Sequence, residues 1–462
     1  MSSQDRSRVV SSVEIHGAQD AAPAADAGPT RRSLSTLANS MTLIVGKVST
    51  MGLGFVFWLI AARLFRQTEV GLAAGAVAAT MLCTQLALLG VGSSFIVQFP
   101  RHQRRPARLL DTSFTLISIS SLIAAGIFLV LAATTFHQLR VIATQPLFAA
   151  SFAAMTVLGT AGILFDQVST ALRRGDQMLL RAMLFGLLTV SLLGLLAFGT
   201  SAATAMAIFS TWVGAGLAAA IVGQFQLWRI ARYHYRPRFH VHLAWPLLRI
   251  GLPNHFLTLC ERAPGLILPI IVTELVSPAA NAAWYTAWMM AWVVYIVPIQ
   301  VGINLFAEAA HRPEALRTLI RHGIRSSLAF GLAGAAVLAG GAHVMLSILG
   351  SSYAAAGVTP LRILVLAVVP LTFTQAYFIV CRARERWFEA IATGVASAAT
   401  SVALAAVAGV MSGLTAMALC WLGVQVVTSS WATWRLVVIS RRERAWSDQT
   451  AIARSAADPV SA

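Results

Sequence analysis

Three charged residues sit where an apolar chain can least afford them. Lys47, the only lysine in the protein, lies about ten residues into the apolar stretch Leu37–Phe65. At about 1.5 Å per helical residue that depth is roughly 15 Å, near the middle of a hydrocarbon core of about 30 Å. An ammonium there costs about 2.5–3.5 kcal/mol, and snorkelling relieves long side chains only near helix ends. As a mobile point charge it suits a phosphate or pyrophosphate; the competing interpretation is an ion pair with a carboxylate on a neighbouring helix. Glu261 and Arg262 lie deep in another apolar run, beside Pro264 and Pro269. Adjacent residues point about 100° apart on a helix, so the two charges cannot fully satisfy one another. Lys47 is the expected partner of Glu261. Arg262 is then left to offer a bidentate fork to an anion.

Asn254 and His255 precede that pair by one or two turns, His255 either as a titrating group or as a hydrogen-bonded interior histidine. Asp166 and Glu308 come near the ends of their runs. Each is followed by arginine (Arg173 and Arg174, Arg312), a pattern of interface salt bridges that could gate. Gln85, Gln98, Gln300 and Gln375 suit hydrogen bonding between helices. Trp284, Trp288 and Trp292 share one helical face, which points to interior packing, a lipid belt or a sugar-stacking platform.

These residues need a membrane protein to position them. Of the 462 residues, 57% are hydrophobic and 11% charged, against about 25% charged in a soluble domain. The expected class is all-α and polytopic, with about twelve spans near 36–63, 69–98, 111–135, 146–170, 178–199, 202–228, 246–273, 280–306, 324–349, 358–381, 387–411 and 414–439. The net charge of +17 does not indicate nucleic acid, because the arginines fall in short clusters between apolar runs. With these spans, 22 connecting arginines lie on one face and three (Arg63, Arg66 and Arg140) on the other. The positive-inside rule makes the arginine-rich face, and both termini, cytoplasmic in a plasma (inner) membrane. The four cysteines lie apart inside apolar runs, where core packing accounts for them.

The chain also divides into two halves of six spans. The expected plan is a disordered tail (1–33), a first lobe (34–228), a basic linker (229–245), a second lobe (246–440) and a second tail (441–462). Aligning Arg63-Leu64-Phe65 with Glu274-Leu275-Val276 superposes the first hairpin of each half and sets Lys47 opposite the segment 258–262. Six is even, so the repeat is parallel and a site is expected between the halves. The linker's basic, aromatic residues suit anionic lipid headgroups or simple topological anchoring.

Residues 46–101 resemble the opening helix pair of polysaccharide and O-antigen flippases of the multidrug/oligosaccharidyl-lipid/polysaccharide exporter superfamily. The features that carry the likeness are a helix ending in Ala62-Arg63-Leu64-Phe65, Glu69-Val70-Gly71 opening the next, and Leu89-Gly90-Val91-Gly92 before a basic turn. The resemblance implies two six-helix lobes around a V-shaped cavity, alternating access, and movement of a polyprenyl-pyrophosphate-linked glycan. It also implies a neighbouring glycan polymerase or assembly complex.

Other classes fit less well. An integral-membrane glycosyltransferase needs acidic residues on a sizeable external loop, and only Glu69 and Glu274 lie near short ones. No phosphate-cradling Gly-rich loop of the ATPase type occurs, so no nucleotide cofactor or metal is expected and the energy comes from an ion, voltage or substrate gradient. A multidrug exporter of the same superfamily favours an acidic, aromatic cavity. A lipid II flippase usually has extra C-terminal spans and several cavity arginines.

Overall fold

The computed structural model describes residues 51–102, 106–172, 174–199, 204–311 and 316–457. The expected N-terminal tail and the start of the first span, Lys47 included, lie outside them. The helices are α1 (Met51–Leu64), α2 (Gln67–Ala87), α3 (Val91–Gln98), α4 (Pro106–Thr134), α5 (Arg140–Thr144), α6 (Pro146–Ala171) and α7 (Gly175–Gly199). They continue with α8 (Ala205–Ala231), α9 (Val241–Ile271), α10 (Pro278–His311), α11 (Leu316–Leu349), α12 (Ser351–Leu366), α13 (Val368–Ala383) and α14 (Trp387–Ala457). No strand occurs among the described residues.

Ten helical segments among the described residues are long and apolar enough to cross a membrane. One of them, Trp387–Ile439, has 53 residues, far beyond the roughly 20 that a single crossing takes. It folds back at Gly413, whose φ of 79° and ψ of −172° interrupt the helix. Two crossings are thereby made from α14, eleven in all among the described residues, and the shorter apolar α1 lies within the first of the twelve expected spans. The last helix runs on through Ala457, past residue 440, where the second lobe was expected to end. The connection between α8 and α9 is shorter than the expected linker, covering only residues 232–240.

Composition sorts the helices into inner and outer ones. Helix α2 is alanine-rich and apolar on all sides, and Ala73, Ala74, Ala76, Val77, Ala78 and Ala79 are fully buried. A helix without a polar face belongs inside, and small residues let its neighbours approach. Helix α10 and the α12–α13 pair are enclosed in the same way, while α7, α11 and α14 turn large apolar side chains such as Leu195, Val337 and Val407 outward. The tryptophan face of α10 points inward: Trp284 is fully buried and Trp288 nearly so. Interior packing is therefore the role of this face, rather than a lipid belt.

Two close approaches join the halves of the chain. Helix α2 crosses α10 near the arginine-poor face, where a Cβ on Gly71 would lie 1.7 Å from the carbonyl oxygen of Pro278. Toward the arginine-rich face, Gly90 meets Gly251 of α9, and a Cβ there would lie 2.4 Å from the Gly251 backbone. Gly90 also has φ of 75°, in the left-handed region that favours glycine. The expected outcome of Gly90→Val is a loss of at least about 2 kcal/mol of stability, from strain and steric overlap together. It is read as a lowered unfolding midpoint of the detergent-solubilised protein.

Candidate functional site

Helix α9 carries most of the residues expected to do chemistry, and its two faces have different surroundings. Pro246, Pro253, Pro264 and Pro269 lie within it, and it ends in a π-turn, Val272–Val276. Each proline removes a backbone donor, so the helix is locally deformable where it runs between the halves.

One face carries Glu261 into the second half of the chain. Its carboxylate accepts from Gln375 Nε2 at 3.2 Å and from Arg382 Nη2 at 3.3 Å. Both ion-pair partners are largely buried, at 16% and 14% exposure. Glu261 is therefore level with the last two turns of α13, toward the arginine-rich face. It borders a cavity of about 60 Å³ lined also by Gln375, Gln425, Trp288, Trp292 and Trp421. Trp288 and Trp421 meet edge to face at 4.9 Å. Gly265 leaves the room they need, since a Cβ there would lie 2.5 Å from the Trp288 indole nitrogen.

The expected partner of Glu261 was Lys47, which lies outside the described residues. Among the described residues the counter-charge is Arg382, a residue that sequence reasoning counts only as a topological charge in a basic turn. Its position in the last turn of a helix, where the side chain can reach back along the bundle, was the available signal.

The other face of α9 turns toward α2. His255 lies against the backbone carbonyl of Gln85, and Arg262, two turns on, is close enough to act on it electrostatically. The His255 Nε2 atom is buried without a hydrogen-bond partner among the described residues. Arg262 is exposed and makes no ion pair among them, on a different side of the helix from Glu261. Asn254 is partly buried one residue before His255, and its carbonyl accepts from Thr258 Oγ1 at 2.9 Å. The structure thus sets His255 and Arg262 within electrostatic reach of each other, while the Glu261 carboxylate bonds to Gln375 and Arg382.

At the arginine-poor face the halves are closed against each other. Gln67 Nε2 donates to the Ala279 carbonyl at 3.0 Å, and Asn281 Nδ2 to the Gly71 carbonyl at 2.9 Å. Arg63 Nε donates to the Ile348 carbonyl at the end of α11. Glu274 accepts three successive backbone N–H groups, from His137 at 2.8 Å, Gln138 at 3.1 Å and Leu139 at 2.6 Å. Arg63 and Glu274 are the two positions that the internal alignment superposes. Each closes the first hairpin of its half onto the opposite half. The cation meets a helix's carbonyl end and the anion meets a cluster of amides, the polarity that helix and nest dipoles favour.

Near the arginine-rich face, each half is tied within itself. Asp166 of α6 pairs with Arg181 of α7 at 2.8 Å, and Arg181 also donates to Ser169 at 2.9 Å and to Gln226 of α8. The expected partners of Asp166 were Arg173 and Arg174; Arg174 instead stands 4.0 Å from Asp176, and Arg173 lies outside the described residues. Arg181, embedded in an apolar run, was the overlooked signal. In the second half Glu389 accepts from Arg435 at 2.7 Å, Tyr377 at 3.1 Å and Arg386 at 3.2 Å. The Glu308 side chain lies outside the described residues.

Among the described residues no cluster of His, Cys, Asp and Glu is able to hold a metal ion. Among the described residues Arg262 makes no ion pair, whereas Arg181, Arg382, Arg386 and Arg435 are each paired inside their own half. Glu261→Gln is expected to destabilise the protein by about 3–5 kcal/mol, because it strands the Arg382 charge in a largely buried site. Adding Arg382→Gln restores most of that loss, which thermal unfolding of the single and double variants measures.

Residues 36–313 match the model of a family described as polysaccharide biosynthesis protein. Comparison with curated proteins finds no match. Among solved structures, the chain is similar to the lipid II flippase MurJ in an inward closed conformation, with TM-score 0.68 and 10% identity over 86% of this chain and 87% of that one. It is similar to an inward-facing multidrug resistance MATE family transporter of the MOP superfamily, with TM-score 0.64 and 15% identity over 86% and 95%. A MOP superfamily transporter from Pyrococcus furiosus, described as having a binding pocket of reverse polarity, gives TM-score 0.52 and 14% identity over 87% and 94%. At such identities the likeness speaks for the fold.

Proposed function

We propose, for a chain that belongs to the polysaccharide biosynthesis protein family, that it is a flippase for a lipid-linked oligosaccharide rather than an enzyme. The substrate class is a glycan carried on a polyprenyl pyrophosphate. The protein sits in the plasma membrane with its arginine-rich face and both termini in the cytoplasm, and works beside a glycan polymerase or assembly complex. Its two six-helix lobes rock about the space between them. In the state described here the arginine-poor side is shut by the α2–α10 crossing and by the Arg63 and Glu274 contacts.

The observation that carries the proposal is Arg262, a residue on the His255 side of α9 that makes no ion pair among the described residues. A planar fork free of internal partners suits the paired oxygens of a pyrophosphate. Lys47 adds a second cation if it faces the same space, as its alignment with the segment 258–262 suggests. Asn254 supplies a polar neighbour for the sugar, and His255 a positioning group for Arg262.

Export of organic cations calls for a free carboxylate among aromatic rings. Glu261 with Trp288, Trp292 and Trp421 has that composition, but Arg382 and Gln375 already occupy the carboxylate. The geometry therefore favours an anionic cargo. Between a polysaccharide precursor and lipid II, both of which present pyrophosphate, the family match favours the former.

Depletion of the protein in its host is expected to accumulate polyprenyl-pyrophosphate-linked glycan on the cytoplasmic side, measured by lipid extraction and mass spectrometry. Arg262→Ala and Lys47→Ala should each slow clearance by about tenfold or more at equal membrane abundance, as loss of a charge-assisted contact implies. Normal clearance by both variants, or no accumulation on depletion, would overturn the proposal.

A second expectation concerns closure. Gln67→Cys with Ala279→Cys, joined by a short thiol-cleavable crosslinker, should stop transport, and reduction should restore it. Full transport by the crosslinked protein would show that the arginine-poor side need not open.

A further inference from the structure

The connection between α8 and α9 is usually the part of such a chain with least to hold it, yet here it is fastened along its length. Helix α8 ends with Arg232 in the left-handed region, φ 49°, and Gln224 Nε2 donates to the Tyr233 carbonyl at 3.0 Å. Beyond that turn the chain lies across the first turns of α4. Asp111 Oδ1 accepts from the Tyr233 hydroxyl at 2.7 Å and from the Arg236 N–H at 3.1 Å. Tyr235 reaches Thr115 at 3.3 Å, and His240 reaches Thr112 at 3.2 Å. Burial and the neighbouring Asp111 carboxylate push the Tyr233 phenol well above its ordinary range, so it stays a donor.

Fastening by Tyr233 leaves the rest of the segment facing out. His234, Arg236, Arg238 and Phe239 are exposed, with Arg229 and Arg232 beside them. Two of these guanidinium groups are braced by rings, Arg232 over Trp228 at 5.3 Å and Arg229 over Phe225 at 6.0 Å. The stretch 229–250 contains no acidic residue, and Asp111 beneath it is only 6% exposed and already bonded. None of the four arginines makes an ion pair among the described residues. Large apolar groups flank the charges at the start of the next span, with Val241 70% and Trp245 67% exposed.

We infer that this segment is a preformed binding surface for anionic phospholipid. The headgroup phosphate meets Arg232, Arg236 and Arg238, and Phe239 and Trp245 sit at the boundary between headgroups and acyl chains. Charge complementarity selects the lipid class: a cationic row without internal acids, held at the mouth of two membrane-spanning helices, matches a negatively charged leaflet and its interfacial aromatic belt. Topological anchoring alone requires only that arginines be present in the loop. It does not require a backbone tied down at Asp111, Thr112 and Thr115, nor guanidinium groups braced on rings. The fastening reduces the ordering that a flexible basic loop would undergo on binding.

The test uses the purified full chain in neutral detergent, mixed with equal amounts of phosphatidylglycerol and phosphatidylcholine and read by native mass spectrometry. The wild-type protein should carry at least about fivefold more of the anionic lipid, the scale set by one interfacial arginine. Arg236→Gln with Arg238→Gln should bring the ratio close to one. Arg321→Gln with Arg325→Gln removes the same number of exposed charges elsewhere in the chain and should leave the ratio near that of wild type. Near-equal adducts in the wild type, or the same loss in both double variants, would overturn the inference. Transport of glycan does not enter the readout, so failure here and failure of the flippase proposal are distinguishable.

Discussion

The crossing of α2 over α10 is the contact on which the arrangement of the two halves depends. At Gly71 and Pro278 backbone meets backbone, and Asn281 and Gln67 convert that proximity into two hydrogen bonds. In a bilayer there is no hydrophobic force between apolar helices, so association rests on close packing and on polar groups that find partners. Alanine along α2 provides the first and the amide side chains provide the second. Arg63 and Glu274 add two charged contacts at the same end of the molecule. With that end drawn together, α9 lies between the halves, its Arg262 side toward α2 and its Glu261 side toward α13.

Charge is handled differently at the two ends. Near the arginine-rich face Asp166, Glu261 and Glu389 are each paired inside their own half, with Arg181, with Arg382, and with Arg386 and Arg435. Truncating one partner of such a pair leaves an uncompensated charge in low dielectric, so these pairs make each half internally stiff whatever their net worth to stability. Near the arginine-poor face Arg63 and Glu274 instead reach across to backbone groups of the other half, while Glu69 accepts from the Ala205 N–H in its own. Contacts to backbone dipoles can form and break as the halves move without leaving a partner ion stranded.

Much of this was legible in the chain itself, and the reasons are local. Apolar runs of about 20 residues need only count and length, because a spanning strand takes about half as many and a run of that length satisfies its backbone in lipid as a helix. The correspondence of Arg63 with Glu274 was visible as an alignment, and the structure shows both residues bridging the halves. Pairing was less legible than position. Asp166 pairs with Arg181, which the neighbouring helix brings back to it, while Arg174, beyond the end of α6, stands beside Asp176. Glu261 pairs with Arg382, 121 residues away, at a depth that no count along one helix reveals.

By itself the sequence determined that the chain is an all-helical, multi-pass membrane protein with a strong charge asymmetry, since composition and period act residue by residue. Only the tertiary structure decided which charges are already satisfied. Two adjacent ions, Glu261 and Arg262, look equivalent in the chain. About 100° of helical turn gives one a counter-ion inside the second half and leaves the other facing the opposite half of the molecule. That division depends on what α2, α9 and α13 bring to the same place, and spacing along one helix carries no information about it.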